Sequence, residues 1–189
     1  MPTNPSPPAS LPFTGDPDAD RLLASDPLAL LVGFVLDQQV TIQTAFRAPL
    51  ELGRRLGRFD AATIAGLDEA ALVAAFSARP ALHRFPAVMA RRVGELARVV
   101  VERYGGDAGR IWTTAPDAAE LERRLRDLPG IGPTKAKALL AVLVKRLGVR
   151  PPGWEAALPS YPTLGDVDTP EALAAYQASK RAARAAGRR

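Results

Sequence analysis

The chain of 189 residues contains no cysteine. That absence excludes disulfide scaffolds, thiolate zinc sites, iron–sulfur clusters and cysteine nucleophiles together. It has one histidine, His83, too few for a multi-histidine metal centre. Long apolar runs are also missing, since the longest, Leu28 to Leu36, is too short to span a bilayer. The opening MPTNPSPPASLP lacks the charged-then-apolar order of a secretion signal. Together these absences predict a soluble, cytoplasmic protein with no membrane partner.

What remains is enough to fold alone. At 47% hydrophobic and 24% charged residues, the chain can bury a real core and is neither disordered nor fibrous. Runs of alternating β-branched residues and internal repeats are both absent, which predicts an all-α protein. The 25 Lys and Arg residues exceed the 20 Asp and Glu residues by five. By segment the charge is −4 over 1–53, +1 over 54–83, +3 over 84–103 and −3 over 104–122. It is then +7 over 123–150, −4 over 151–171 and +5 over 172–189. A basic block in a folded segment next to a basic tail is what a polyanion-binding face looks like; a solvated helix face with an untidy tail gives the same pattern.

Residues 1–15, with five prolines, read as a flexible leader. Asp26-Pro27 opens a buried helix with Leu28, Leu31, Val32, Val35 and Leu36 on one face. Thr41 to Leu56 is a second helix, and shorter pieces start at Asp60 and Asp68. Residues 84–104 form a long helix stopped by Gly105-Gly106. A short piece at 107–112 precedes a helix opened by Thr114-Ala115-Pro116, and Pro133–Leu147 carries an apolar stripe. Residues 148–168 read as an extended loop, and Thr169-Pro170 caps a basic helix that frays. The organisation expected is a leader (1–15), a helical lobe (16–110), a second lobe with its Pro/Gly-rich loop (111–168) and a basic helix or tail (169–189).

The most informative string is Leu128-Pro129-Gly130-Ile131-Gly132-Pro133-Thr134-Lys135-Ala136, between two helices. Gly130 and Gly132 permit backbone angles closed to other residues, so amide N–H groups can converge beside the positive end of the second helix. Ile131 staples the helices, and Pro133 starts the second one without wasting a hydrogen bond. With Lys135, Lys137 and Arg126 nearby, the anion such a turn meets is a nucleic-acid phosphate, held without reading sequence.

This LPGIG string followed by a helix resembles the helix-hairpin-helix of the DNA glycosylase superfamily. Upstream, Leu36-Asp37-Gln38-Gln39-Val40-Thr41 resembles the Leu-x-x-Gln or Gln-Gln helix junction that those enzymes press against a lesion. The two strings keep the superfamily's order, with about ninety residues between them, so the resemblance covers approximately residues 25–150. It implies a two-lobed helical bundle of the glycosylase type gripping double-stranded DNA across a cleft, with the N-terminal lead joining the second lobe. The protein is expected to act as a monomer, nucleoid-associated when bound. Gln38 and Gln39, uncharged amides at the end of an apolar helix, suit a wedge that hydrogen-bonds a widowed base; a satisfied helix terminus is the plainer role.

The resemblance puts a Schiff-base lysine, in members that also cut the strand, at the position held here by Thr134. Lys135 is one residue on and turned away by roughly 100°, which implies no β-lyase activity. The superfamily's catalytic aspartate falls by offset near 152–155, where Glu155 is the nearest carboxylate. Asp37 sits beside the glutamines, and Asp166 and Asp168 are reserves, because glycosidic cleavage needs a carboxylate near the sugar. His83 and Trp154 are candidates for a base pocket, while Trp112 reads as buried. The main-chain carbonyls of Arg126, Leu128 and Ile131 match those holding a sodium or potassium ion in related hairpins. No other cofactor is implied. The leading expectation is a monofunctional DNA glycosylase of base excision repair. A non-catalytic protein recognising damaged DNA comes second, and a protein- or RNA-interaction module third.

Overall fold

A computed structural model describes residues 8–187, which form eleven α-helices and one 3-10 turn with no strand among them. The first six are α1 (Pro17–Ser25), α2 (Pro27–Leu36), α3 (Ile42–Leu56), α4 (Ala61–Gly66), α5 (Glu69–Ser77) and α6 (Pro86–Tyr104). The rest are α7 (Arg110–Thr113), α8 (Ala118–Arg126), α9 (Pro133–Lys145), α10 (Trp154–Ala157) and α11 (Pro170–Ala186). No helix among the described residues is long and apolar enough to cross a membrane.

Helix α2 is the axis of the fold. Asp26 accepts hydrogen bonds from the Leu28 and Ala29 amides at 2.8 and 3.2 Å, and Pro27 supplies a preset first turn. Every residue from Leu28 to Leu36 is buried, as befits a helix apolar all round. Helices α1, α3 and α6 pack against it, and Phe46 of α3 meets Phe34 and Phe13 edge to face at centroid distances of 5.2 and 5.4 Å. Helices α4 and α5 pack on α6. In the second half α8 and α9 form the hairpin, and α9 carries the 3-10 turn Leu164–Asp166. One continuous apolar core runs through both halves.

Four sequence expectations change. Residues 1–7 lie outside the described part, but the end of the expected leader is packed: Leu11 and Phe13 are fully buried. The buried Asp20 carboxylate explains it, accepting from the amides of Phe13 and Thr14 at 3.2 and 2.9 Å and from the Thr14 hydroxyl at 2.7 Å. That lead and α1 dock on α2 and α3, so they join the first lobe and not the second. Helix α8 starts at the Asp117 cap, after Thr114. The expected loop 148–168 holds α10 and the 3-10 turn, where Gly165 lies so close to α9 that a Cβ would stand 2.5 Å from the Ala141 backbone.

Candidate nucleic-acid interface

Two corners meet beside the last turn of α2. The first is the hairpin. Its turn is closed by the Ile131 amide donating to Leu128 O at 3.1 Å, with Ile131 buried as the staple. Gly130 has φ +79° and packs against Val35 of α2, where a Cβ would come within 3.1 Å. Gly132, in contrast, is extended at φ −79° with open space around it, so only Gly130 needs to be glycine. No side chain caps α9, which leaves its first amides facing outward from an exposed turn.

The second corner is the junction after α2. Gln38 is not a free probe: its amide nitrogen donates to Val35 O at 3.1 Å and lies 3.3 Å from Met89 Sδ, while its oxygen accepts from Arg92 at 3.2 Å. Gln39 is exposed and sits in the left-handed region at φ +56°, a conformation that costs a non-glycine residue about 1 kcal/mol or more. The two glutamines therefore divide the work, one anchoring the turn and the other projecting from it.

His83 holds this turn from beneath. It is 3% exposed, and its Nδ1 accepts from the Phe85 amide at 3.0 Å, which assigns the ring proton to Nε2. Nε2–H then donates to Leu36 O and Gln38 O at 3.1 and 3.0 Å. Burial holds the imidazole below its ordinary pKa. With both nitrogens engaged inside the protein, His83 is not positioned in a base pocket. It ties the Gln39 corner to the next segment, where Phe85 and Val88 are exposed large apolar side chains and Arg84 lies 5.4 Å from the Phe85 ring. Their exposure was missed by sequence reasoning, because the helical periodicity of 84–104 does not tell which apolar residues lack a neighbour.

Between the corners lies a cleft of about 410 Å³ lined by Phe34, Thr134, Lys135, Ala138, Tyr161 and Tyr176 among others. Asp37 stands in it, at the C-terminal end of α2. Burial pushes the Asp37 carboxyl above its ordinary pKa, against the pull of Lys180, Lys135 and Arg184. Lys135 did not turn out of the cleft as its helical position suggested. Its long chain runs back so that Nζ donates to Val35 O at 3.1 Å, and burial holds the amine below its ordinary pKa while Asp37 opposes the shift.

The other sequence candidates lie elsewhere. Glu155 is exposed on α10, which packs on α8, and Trp154 beside it is stacked on Arg150; neither lines the cleft. Lys137 pairs with Glu122 at 2.8 Å and donates to Ala157 O at 3.2 Å, which ties the second lobe together and removes it as a phosphate ligand. Asp166 caps the 3-10 turn and pairs with Lys145, and Asp168 is exposed, 3.9 Å from Arg146. Trp112 is buried as expected. In the hairpin, Leu128 O is taken by the Ile131 amide. No cluster of His, Asp or Glu with the makings of a metal site occurs among the described residues.

No protein-family model matches the chain, and no curated protein does. Among solved structures, it is similar to a trapped endonuclease III–DNA covalent intermediate, an estranged-adenine complex. The identity is 19%, over 66% of this chain and 49% of that one, with a TM-score of 0.48. It is also similar to a thermostable thymine-DNA glycosylase, at 18% identity over 69% of this chain and 58% of that one, with a TM-score of 0.45. The chain thus spans about half the length of these structures.

Proposed function

We propose that this chain binds double-stranded DNA as a monomer and acts in base excision repair as a monofunctional glycosylase, hydrolysing the N-glycosidic bond of a damaged or mispaired base. One observation carries the reading: a half-buried carboxylate, Asp37, stands in a cleft between an exposed glutamine corner and an uncapped hairpin helix. The hairpin amides hold a backbone phosphate, and Gln39 with Phe85 fills the gap left when a nucleotide swings out. The extruded base enters beside Tyr161 and Tyr176, whose rings offer a stacking surface. Asp37 then faces the sugar, where its charge stabilises the oxocarbenium-like transition state and its raised pKa suits it to take a proton from the attacking water.

Asp37 replaces Glu155 as the favoured carboxylate. Strand cleavage is not part of the proposal: Thr134 holds the position the resemblance gives to a Schiff-base lysine, and Lys135 Nζ is anchored on Val35 O. A sodium or potassium ion at the carbonyls of Arg126, Leu128 and Ile131 would stiffen the hairpin, without taking part in the chemistry. The test is base release from duplexes carrying uracil, alkylated or oxidised bases. Parent and Glu155→Gln should release a base from at least one of them, Asp37→Asn should not, and borohydride should trap no adduct with abasic DNA. Intact bases throughout, with duplex affinity retained, would leave the second reading, a non-catalytic protein that recognises damaged DNA; the exposed placement of Glu155 outside the cleft favours that reading.

A further inference from the structure

Next to the cleft, and sharing Asp37, Ile42 and Lys180 with it, is a second hollow of about 190 Å³ between α3 and α11. Its α11 wall is Gln177, Lys180, Arg181 and Arg184, residues three and four apart that share one helix face. Its opposite wall includes Val40 and Thr41. The register between the walls is fixed by a reciprocal amide pair: Gln43 donates to Gln177 at 3.3 Å, and Gln177 donates back at 2.8 Å.

The charges in this place do not balance. Lys180, Arg181, Arg184 and the neighbouring Lys135 surround one carboxylate, Asp37, and no other acidic side chain lines either hollow among the described residues. None of the three α11 cations has a carboxylate within ion-pair distance among those residues, although α8 and α9 satisfy most of theirs. Like charges gathered at a partly enclosed surface repel one another, so the arrangement is at its best when an anion enters. A phosphodiester suits it, because two guanidinium forks and an ammonium can share its two free oxygens.

We propose that α11 and the start of α3 form a seat for one backbone phosphate of the DNA, adjacent to the nucleotide that enters the Asp37 cleft, with the Gln43–Gln177 pair setting its width. The seat is distinct from the hairpin, lies on the other side of Asp37, and turns what looks like a loose basic tail into a second defined grip. It rests on the DNA-binding reading above. With one phosphate held at the hairpin and another at α11, the backbone is gripped on both sides of the extruded nucleotide.

The test is a methylphosphonate scan. A duplex with a central tetrahydrofuran abasic analogue is titrated with the full chain while each nearby phosphate is neutralised singly. For the parent, we expect neutralisation to weaken binding about tenfold at two separate places, the hairpin phosphate and the α11 phosphate. Lys180→Ala with Arg184→Ala, both exposed and so harmless to folding, should abolish the sensitivity at the α11 position alone. Gly132→Asp, at the uncapped start of α9 where its carboxylate occupies the free amides, should reduce it at the hairpin position alone. A double α11 variant that keeps the parent's full profile, or that lowers affinity equally at all positions, overturns the seat. If the parent has no affinity for any duplex, the DNA-binding reading itself falls, an outcome separate from loss of the α11 position only.

Discussion

At the scale of single residues, Asp37 is half-buried and His83 buried, and burial displaces their pKa values in opposite directions. Asp37 has its folded pKa raised, so folding is least favourable while the carboxyl is charged and the cost falls as pH drops through the carboxylate range. Asp37→Asn should therefore melt at a higher temperature than the parent at pH 7, with the gap closing towards pH 3, where the parent is neutral too. A gain in stability together with the loss of base release marks a group kept for chemistry. An Asn variant less stable than the parent at pH 7 would contradict this. His83 has its folded pKa lowered, so its contribution is complete above about pH 6.5 and declines as pH falls below that value. In the protonated ring Nδ1 becomes a donor facing the Phe85 amide, and the bond that holds the Phe85 segment to the Gln39 corner breaks. Duplex affinity should fall below pH 6 in the parent, and a His83→Gln variant should lose that part of the pH profile.

At the scale of elements, the hairpin and the N-terminal lead make opposite lessons. The hairpin was legible because its constraints are local: a tight turn between two amphipathic helices leaves few sequences able to make it. Even so, the sequence treats Gly130 and Gly132 alike, and only the packing against Val35 separates them. Gly130→Ala should cost about 1–2 kcal/mol through its left-handed backbone alone, more with Val35 pressed against the new methyl, whereas Gly132→Ala should stay within about 0.5 kcal/mol. Urea unfolding of the two variants decides it, and equal costs would refute the distinction. The lead was not legible because its order comes from a partner later in the chain. Proline-rich residues look loose until Asp20 collects their amides and Phe13 reaches Phe46. Asp20→Ala should then cost about 2–3 kcal/mol, because three buried donors lose their acceptor. A variant with parental stability would restore the flexible leader. The same limit hid the site: Glu155 is the carboxylate nearest the offset that the resemblance gives, yet it is exposed on α10, which packs on α8 and does not line the cleft, while Asp37, ninety or so residues upstream of the hairpin, lies in it.

At the scale of the whole molecule, the charge pattern reads differently once folded. The block 123–150 carries +7 in sequence, but Arg123 and Arg124 pair with Glu120, Lys137 with Glu122, Lys145 with Asp166, and Arg146 lies beside Asp168. The acidic segments on either side are the partners of that block and not independent surfaces. Lys180, Arg181 and Arg184 of α11, which line one hollow beside Asp37, have no carboxylate partner among the described residues, which points to the cleft as a second basic surface besides the hairpin. Every phosphate that a protein neutralises on duplex DNA adds about 0.9 to the steepness with which log affinity falls against log salt. Replacing Lys180, Arg181 and Arg184 by alanine should therefore reduce that slope by about 0.9, the share of the one phosphate they hold, while Arg123→Ala with Lys145→Ala, which removes two cations already neutralised within the fold, should leave it nearly unchanged. Titrations of one duplex across a series of sodium chloride concentrations measure both. If the Arg123 and Lys145 pair carried the larger share, DNA would lie along α8 and α9, and the route past Asp37 would have to be redrawn.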